Sequence, residues 1–192
     1  FIAADMISQA EHDPDSRSVL LSSSMNTAKR AIEGIYRHLD SLLKEYGARV
    51  NIDVILKSLK KNCKIIFSKE KDRLVEICNM IAPEHLEIMA KDAKKVLKKI
   101  KNAGAIFIGE YCPVAVGDYT GGTNHVIPTN GNTRFSSPLS VYDFLKRSSV
   151  TFYSQDALRK EKKFIEILSE SEKLFAHQSS VRLRFKNMKD IK

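Results

Sequence analysis

The residues able to do chemistry fall in a few short stretches. Gly117 to Gly131 places a carboxylate, Asp118, and an imidazole, His125, in a segment poor in helix formers and rich in glycine. Such a segment reads as a loop, and loops of this kind carry function disproportionately. Glu84 and His85 form a second acid–imidazole pair, Gln9 and His12 a third polar pair near the start, and Glu172 with His177 a fourth near the end. A carboxylate beside an imidazole suits proton transfer near neutral pH, and imidazole with oxygen donors suits a borderline divalent metal.

Each pair also has a plain structural reading. On a helix Gln9 and His12 are neighbours at i, i+3 and can point at a common atom, but glutamine is a poor zinc ligand, and alone they read as polar residues on an exposed face. Adjacent residues on a strand point to opposite faces, so Glu84 and His85 share a site only at an irregular strand edge. His38, between Arg37 and Asp40 in mid-helix, reads as a surface residue, and His177 alone as a surface or capping residue.

The elements that must position these residues follow from periodicity and punctuation. Ile2 to His12 has a helical pattern stopped by Asp13-Pro14-Asp15, and Ser18 to Ser23 a short strand. A helix capped by Asn26 or Thr27 runs to Tyr46 and ends at Gly47. Asp53 to Lys61 is a helix, Lys64 to Phe67 a strand, and Lys69 to Ile81 a helix closed by Pro83, which delivers Glu84-His85 to the mouth of a strand Leu86 to Met89. Asp92 to Lys101 reads as a helix and Ala105 to Ile108 as a buried parallel strand. Strands alternating with helices predict an α/β sheet layered by helices. Beyond the Gly-rich stretch, Leu139 to Lys146 reads as a helix, Ser149 to Tyr153 as a β-prone run, and Gln155 to Phe185 as almost wholly helical with a break near Ser169 to Ser171. The expected boundary near Ser140 divides an α/β part, residues 1–139, from a small helical part, residues 140–192.

Composition narrows the classes. With 192 residues, 43% hydrophobic and 29% charged, the chain has ordinary globular composition. No apolar run approaches the roughly 20 residues that span a bilayer, and no charged-then-apolar leader is visible, which predicts a soluble, cytoplasmic protein. Cys63, Cys78 and Cys112 form no Cys-x-x-Cys pair and read as reduced, buried thiols. The net charge of +9 raises nucleic-acid binding. The lysines from Lys91 to Lys101, however, alternate with Ala93, Val96, Leu97 and Ile100 as on a solvated amphipathic helix, with no aromatics to stack on bases. A basic binding module therefore stays the rival from another class, and it leaves the His, Asp and Glu cluster without a role.

Taken together, the stretches resemble one family. The runs Ala4-Asp5-Met6-Ile7-Ser8-Gln9-Ala10-Glu11-His12-Asp13, Ile81-Ala82-Pro83-Glu84-His85-Leu86-Glu87 and Asn102-Ala103-Gly104-Ala105-Ile106-Phe107 are similar to histidinol dehydrogenases. So are Gly117-Asp118-Tyr119 with Asn124-His125-Val126-Ile127-Pro128-Thr129, Arg134-Phe135-Ser136-Ser137 with Leu139 to Arg147, and Glu172 with Ala176-His177. The resemblance runs the length of the chain in the family's order. It implies an aldehyde-dehydrogenase-like α/β layered domain, here incomplete, followed by an all-helical segment that dimerises.

It also implies zinc- and NAD-dependent oxidation of L-histidinol through the aldehyde to L-histidine. Gln9, His12, Asp118 and His177 match the zinc and substrate ligands, with His177 supplied by the second subunit of a homodimer. His85 matches the general base and a substrate contact, Glu84 the carboxylate that activates water, His125 an assisting residue, and Glu172 a substrate contact suited to an ammonium group. Two departures stand out: the family's chain is much longer, so this sequence reads as its C-terminal portion with little of the NAD pocket, and the Lys-rich segment Tyr46 to Lys64 does not follow the family's pattern. A related zinc enzyme acting on another small polyol is the nearer rival; Glu172 favours histidinol.

Overall fold

The computed structural model describes residues 1–124, 126 and 130–186, which divide into two units, Phe1–Phe144 and Leu145–Lys192. Among the described residues no helix is long and apolar enough to cross a membrane.

The first unit opens with helix α1 (Ile2–Ala10), whose apolar positions bury Met6, Ile7 and Ala10. Strand β1 (Val19–Ser22) leads to the long helix α2 (Met25–Tyr46). Its N-cap is Ser24, whose side chain accepts from Thr27 N–H at 3.2 Å, and not Asn26 or Thr27 as expected. A hydroxyl two residues earlier can reach the third amide of the helix, so the helix starts sooner. Gly47 ends it as expected, in a left-handed φ of 56°. Helix α3 (Ile52–Asn62) follows.

The core of this half is Ile7 and Ala10 of α1, Leu39 of α2 and Ile55 of α3, flanked by Ile35, Leu42, Val50, Ile52 and Leu59. The Lys-rich segment that departs from the family's pattern is thus a packed helix: Ile55 is 1% exposed, while Lys57, Lys60 and Lys61 lie outside the core. Against such a core, α1 has little freedom to slide, and the residues at its end are placed accordingly.

Strand β2 (Lys64–Phe67) pairs in parallel with β1, Val19 opposite Lys64. Helix α4 (Lys71–Ile81) leads to strand β3 (His85–Ile88); the short helix α5 (Ala93–Leu97) leads to strand β4 (Ala105–Ile108), and helix α6 (Val114–Tyr119) follows. β3 and β4 pair in parallel with His85 opposite Ala105 and Glu87 opposite Phe107. The alternation of strands and helices is as expected, but the described strands form two separate two-stranded parallel sheets and not one layered sheet. Helix α5 covers only half of the expected Asp92 to Lys101, the rest being turn. On the lysine-rich surface Lys99 pairs with Asp72, and Lys71 with Asp92 at 2.8 Å.

Two expected elements are absent. Leu139 to Lys146 holds only a 3-10 turn at Val141–Phe144, where Asp143 accepts from the Ser140 N–H at 2.6 Å and so closes the chain into a local turn that competes with helix. Ser149 to Tyr153 forms no strand, and Val150 and Phe152 are 73% and 91% exposed: among the described residues of the second unit no strand is present to pair with a β-prone run.

The second unit is a helical hairpin, α7 (Gln155–Ser171) and α8 (Phe175–Leu183). The break falls at residues 172–174, slightly past the expected one, with Lys173 at φ 59° making the turn. Buried Gln178 of α8 donates to the Glu166 carbonyl of α7 at 3.1 Å, and Arg182 pairs with the Glu166 carboxylate at 3.1 Å.

Candidate functional site

Three of the expected ligands stand together. Gln9 on α1, His12 just past its end and Asp118 line one small cavity of about 50 Å³, completed chiefly by Asp5, Ser8, Glu87 and Val114. That volume admits an ion with a water or two and little else. The helix α1 stops at Ala10, two residues short of the expected end, so His12 sits in a bend and not on the helical face. Asp13 drives the change: its carboxylate accepts the Asp15 N–H at 2.7 Å, a local turn that ends the helix ahead of Pro14. Among the described residues no three His, Cys, Asp or Glu side chains stand close enough to hold a metal, so the set in this unit is two such donors plus the Gln9 amide.

Asp118 is not in a loop, as its glycine-rich surroundings suggested, but in helix α6 (Val114–Tyr119). Two contacts with the β3–β4 sheet hold that helix. Glu87 Oε1 accepts the N–H of Val114, its first residue, at 3.0 Å. One turn on, buried Gly117 lies over Phe107: a Cβ placed there would be 2.6 Å from the ring. Gly117 is thus a packing glycine within a helix; Gly122, at φ 71°, is the one that turns the chain afterwards.

His85 and Glu87, two apart on β3, share a face of the sheet with Phe107, and the His85 and Phe107 rings are tilted at 58° with centroids 5.9 Å apart. His85 opens the strand and Glu84 occupies the bend before it, the irregular edge the pair requires. Neither lines the small cavity. The backbone just before them is unusual: buried Ala82 takes a left-handed φ of 52°, uncommon for a residue with a Cβ. Thr133 donates to the Ala82 carbonyl at 2.9 Å and Arg134 to that of Met80, so the chain returning from the Gly-rich stretch is fastened to the entry of Glu84-His85. Asn79 fastens the other side, accepting from the Lys101 N–H at 2.7 Å ahead of β4. A second, open and largely apolar cavity of about 850 Å³ lies beyond α6, between Ala105 and Phe107 on one side and Ser137 to Phe144 on the other.

The remaining expected residues are not among those lining this cavity. Glu172 caps α7 and His177 lies in the first turn of α8, both exposed, in the second unit. His125 lies outside the described residues. His38 is half-buried, and its charge acts on Asp5, so it is less peripheral than its neighbours suggested.

Asp5 and Glu87 were not singled out in the sequence, although both lie in the motifs that carry the resemblance. Their signal was spacing: Asp5 is one helical turn before Gln9, and Glu87 is on the His85 side of β3. Their carboxyl groups line the same small cavity, and each acts on the other's titration. Burial, then the Asp5 charge, pushes Glu87 up to about 7; burial raises Asp5, opposed by the Glu87 side chain and the charge of His38. Burial alone pushes the Cys78 thiol up to about 11, as befits a structural thiol.

Two outcomes follow from this geometry. Gly117→Ala drives a methyl into Phe107 and is expected to cost about 1–3 kcal/mol in denaturant unfolding; no loss would mean that α6 does not depend on the close approach. Between the ordinary glutamate value of 4.5 and about 7 the folded chain binds more protons at Glu87 than the unfolded one, so stability falls as pH rises through that window. Glu87→Gln is expected to flatten that fall when urea midpoints are compared from pH 4.5 to 8; parallel wild-type and variant profiles would contradict it.

Comparison with known proteins then bears on the whole chain. The histidinol dehydrogenase family profile matches residues 1–185. Histidinol dehydrogenase of Clostridium acetobutylicum is 44% identical over 97% of this chain and 42% of its own length, and that of Prochlorococcus marinus 41% identical over 97% and 41%. The crystal structure of histidinol dehydrogenase from Elizabethkingia anophelis matches with a TM-score of 0.85 at 30% identity, covering 95% of this chain and 40% of that one. The chain therefore spans about two-fifths of the length of the relatives it matches, and it belongs to the histidinol dehydrogenase family.

Proposed function

We propose that this chain supplies the metal-binding and acid–base part of an enzyme that oxidises L-histidinol through its aldehyde to L-histidine, using zinc and NAD. What carries the reading is the convergence of Gln9, His12 and Asp118, from α1 and α6, on one small polar cavity. The nitrogen and oxygen donors fit zinc, and a set of three in one unit leaves a position for a further ligand. His177 of the partner subunit would fill it in a homodimer formed through the helical hairpin, and the same reading places the unit in an aldehyde-dehydrogenase-like layered domain.

When bound, zinc would serve mainly as a template that positions the substrate's carbinol carbon, and NAD would take the hydride. Gln9, His12 and Asp118 would orient the substrate through the metal, and Glu172 would hold its ammonium group. His85 would accept the alcohol proton as the carbinol C–H leaves as hydride, giving the aldehyde. Glu84 would then take a proton from water as its oxygen adds to the aldehyde carbon, and loss of a second hydride gives the carboxylic acid. The two oxidations consume two NAD molecules. His125 would assist the proton transfers. The packing of His85 against Phe107 restricts its ring, which a general base held in one orientation needs. No residue here is assigned to NAD: Gly-x-Gly-x-x-Gly does not occur in the sequence, and we place the nucleotide site in the part of the relatives' length that this chain does not span.

In the protein that carries this chain, NADH formation with L-histidinol is expected, and His85→Asn is expected to lower kcat by about 10²–10⁴ with zinc content unchanged. Absence of NADH formation, or a better rate with a polyol lacking an amine, would contradict the reading.

A further inference from the structure

We propose that Asp5 and Glu87 are positioning residues for the metal site: together they set the spacing between α1, which leads to Gln9 and His12, and α6, which carries Asp118. The inference rests on the zinc reading above, but neither residue is among the expected ligands.

Each half of the pair touches a ligand-bearing helix one turn from its ligand. Glu87 Oε1 accepts the N–H of Val114 at 3.0 Å, and Val114 is four residues before Asp118. Asp5, which lines the same cavity as Glu87, is four residues before Gln9 on α1. Four residues is about one helical turn, so each contact lies directly above its ligand along the helix axis. All five residues, Asp5, Gln9, Glu87, His12 and Asp118, line the same cavity.

The anchor between the helices is firm. Glu87 is on β3, paired in register with β4, beside Ile88, which is 5% exposed. The residue at the N-cap of α6, Pro113, makes no side-chain cap bond, so the capping acceptor comes from the neighbouring strand. With Oε1 on the Val114 N–H, and with Asp5 lining the same cavity, Glu87 is committed to the scaffold. Groups that orient metal ligands without touching the metal commonly change affinity by about 10–100-fold when removed.

The test is zinc affinity by competition with a chromophoric chelator, together with melting temperature, for wild type, Glu87→Gln, Glu87→Ala, Asp5→Ala, Ser58→Ala and His12→Ala. A glutamine keeps the bond to Val114, its oxygen accepting, and offers Asp5 an amide donor without a charge. Glu87→Gln is therefore expected within about twofold of wild type, and Glu87→Ala about 10–100-fold weaker at unchanged stoichiometry. Asp5→Ala, which leaves the Val114 cap in place, is expected to weaken binding similarly and serves if Glu87→Ala does not fold. Ser58→Ala removes a buried hydroxyl bonded to the Ser16 carbonyl at 3.1 Å, outside the cavity, and is expected to lower the melting temperature with zinc affinity unchanged. Wild-type affinity in Glu87→Ala and Asp5→Ala, or a loss in Ser58→Ala equal to theirs, overturns the positioning role. A loss in Glu87→Gln as large as in Glu87→Ala does the same. His12→Ala separates the two readings: if it loses zinc while the carboxyl variants do not, only the positioning role fails, and if it binds zinc normally, the metal reading fails and takes this one with it.

Discussion

The close approach of α6 to the β3–β4 sheet is the constraint on which the candidate site depends. Asp118 is useful only if its helix lies low enough over the sheet to face the end of α1, and the bulk of Phe107 stands in the way. A residue without a Cβ at position 117 removes the obstacle, and Glu87 holds the start of the helix from the same face of the sheet. The ring that receives Gly117 is also the one that His85 packs on, so a single aromatic side chain fixes the height of a ligand helix and the environment of the expected base. Conformational freedom of the glycine is not what matters here; the missing volume is.

The second structural theme is the opposition between α1, anchored by apolar packing, and the polar cavity at its far end. Ile7 and Ala10 are almost wholly buried against Leu39 and Ile55, which holds α1 against drift. That rigidity makes it possible to keep two carboxyl groups, Asp5 and Glu87, half-buried in the wall of one cavity, an arrangement a looser scaffold would relieve by moving apart. Like charges in low dielectric repel strongly, and burial together with the Asp5 charge holds Glu87 well above the ordinary carboxylate value. Similarly, the left-handed Ala82 ahead of Glu84-His85 is held by Thr133 and by the Cys78 carbonyl, which accepts the Ala82 N–H at 2.9 Å.

Much of this was legible in the sequence where periodicity speaks. The helices from Ile2, from the residues after Ser24 and from Gln155, and the strands at Lys64 and Ala105, follow from apolar spacing and from Gly47 and Pro83 as punctuation. What failed did so for tertiary or local reasons. Gly117 reads as a loop residue because sequence shows a glycine but not the ring it packs on. Leu139 to Lys146 has a helical pattern, yet the Asp143 carboxylate captures the Ser140 amide. Glu87 reads as one more strand residue, because its partners, Asp5 and Val114, are far away in the chain. The expected ligands were visible as residue types, whereas the carboxyl pair between them becomes visible only when α1 and α6 are placed on the sheet.

Anomalous diffraction at the zinc edge, from crystals of the zinc-loaded protein, tests the central claim most directly. The account predicts one ion within bonding distance of Gln9, His12 and Asp118, with Asp5 and Glu87 beside it but uncoordinated. An ion bound elsewhere, or held by Asp5 and Glu87 in place of His12 and Asp118, would contradict it.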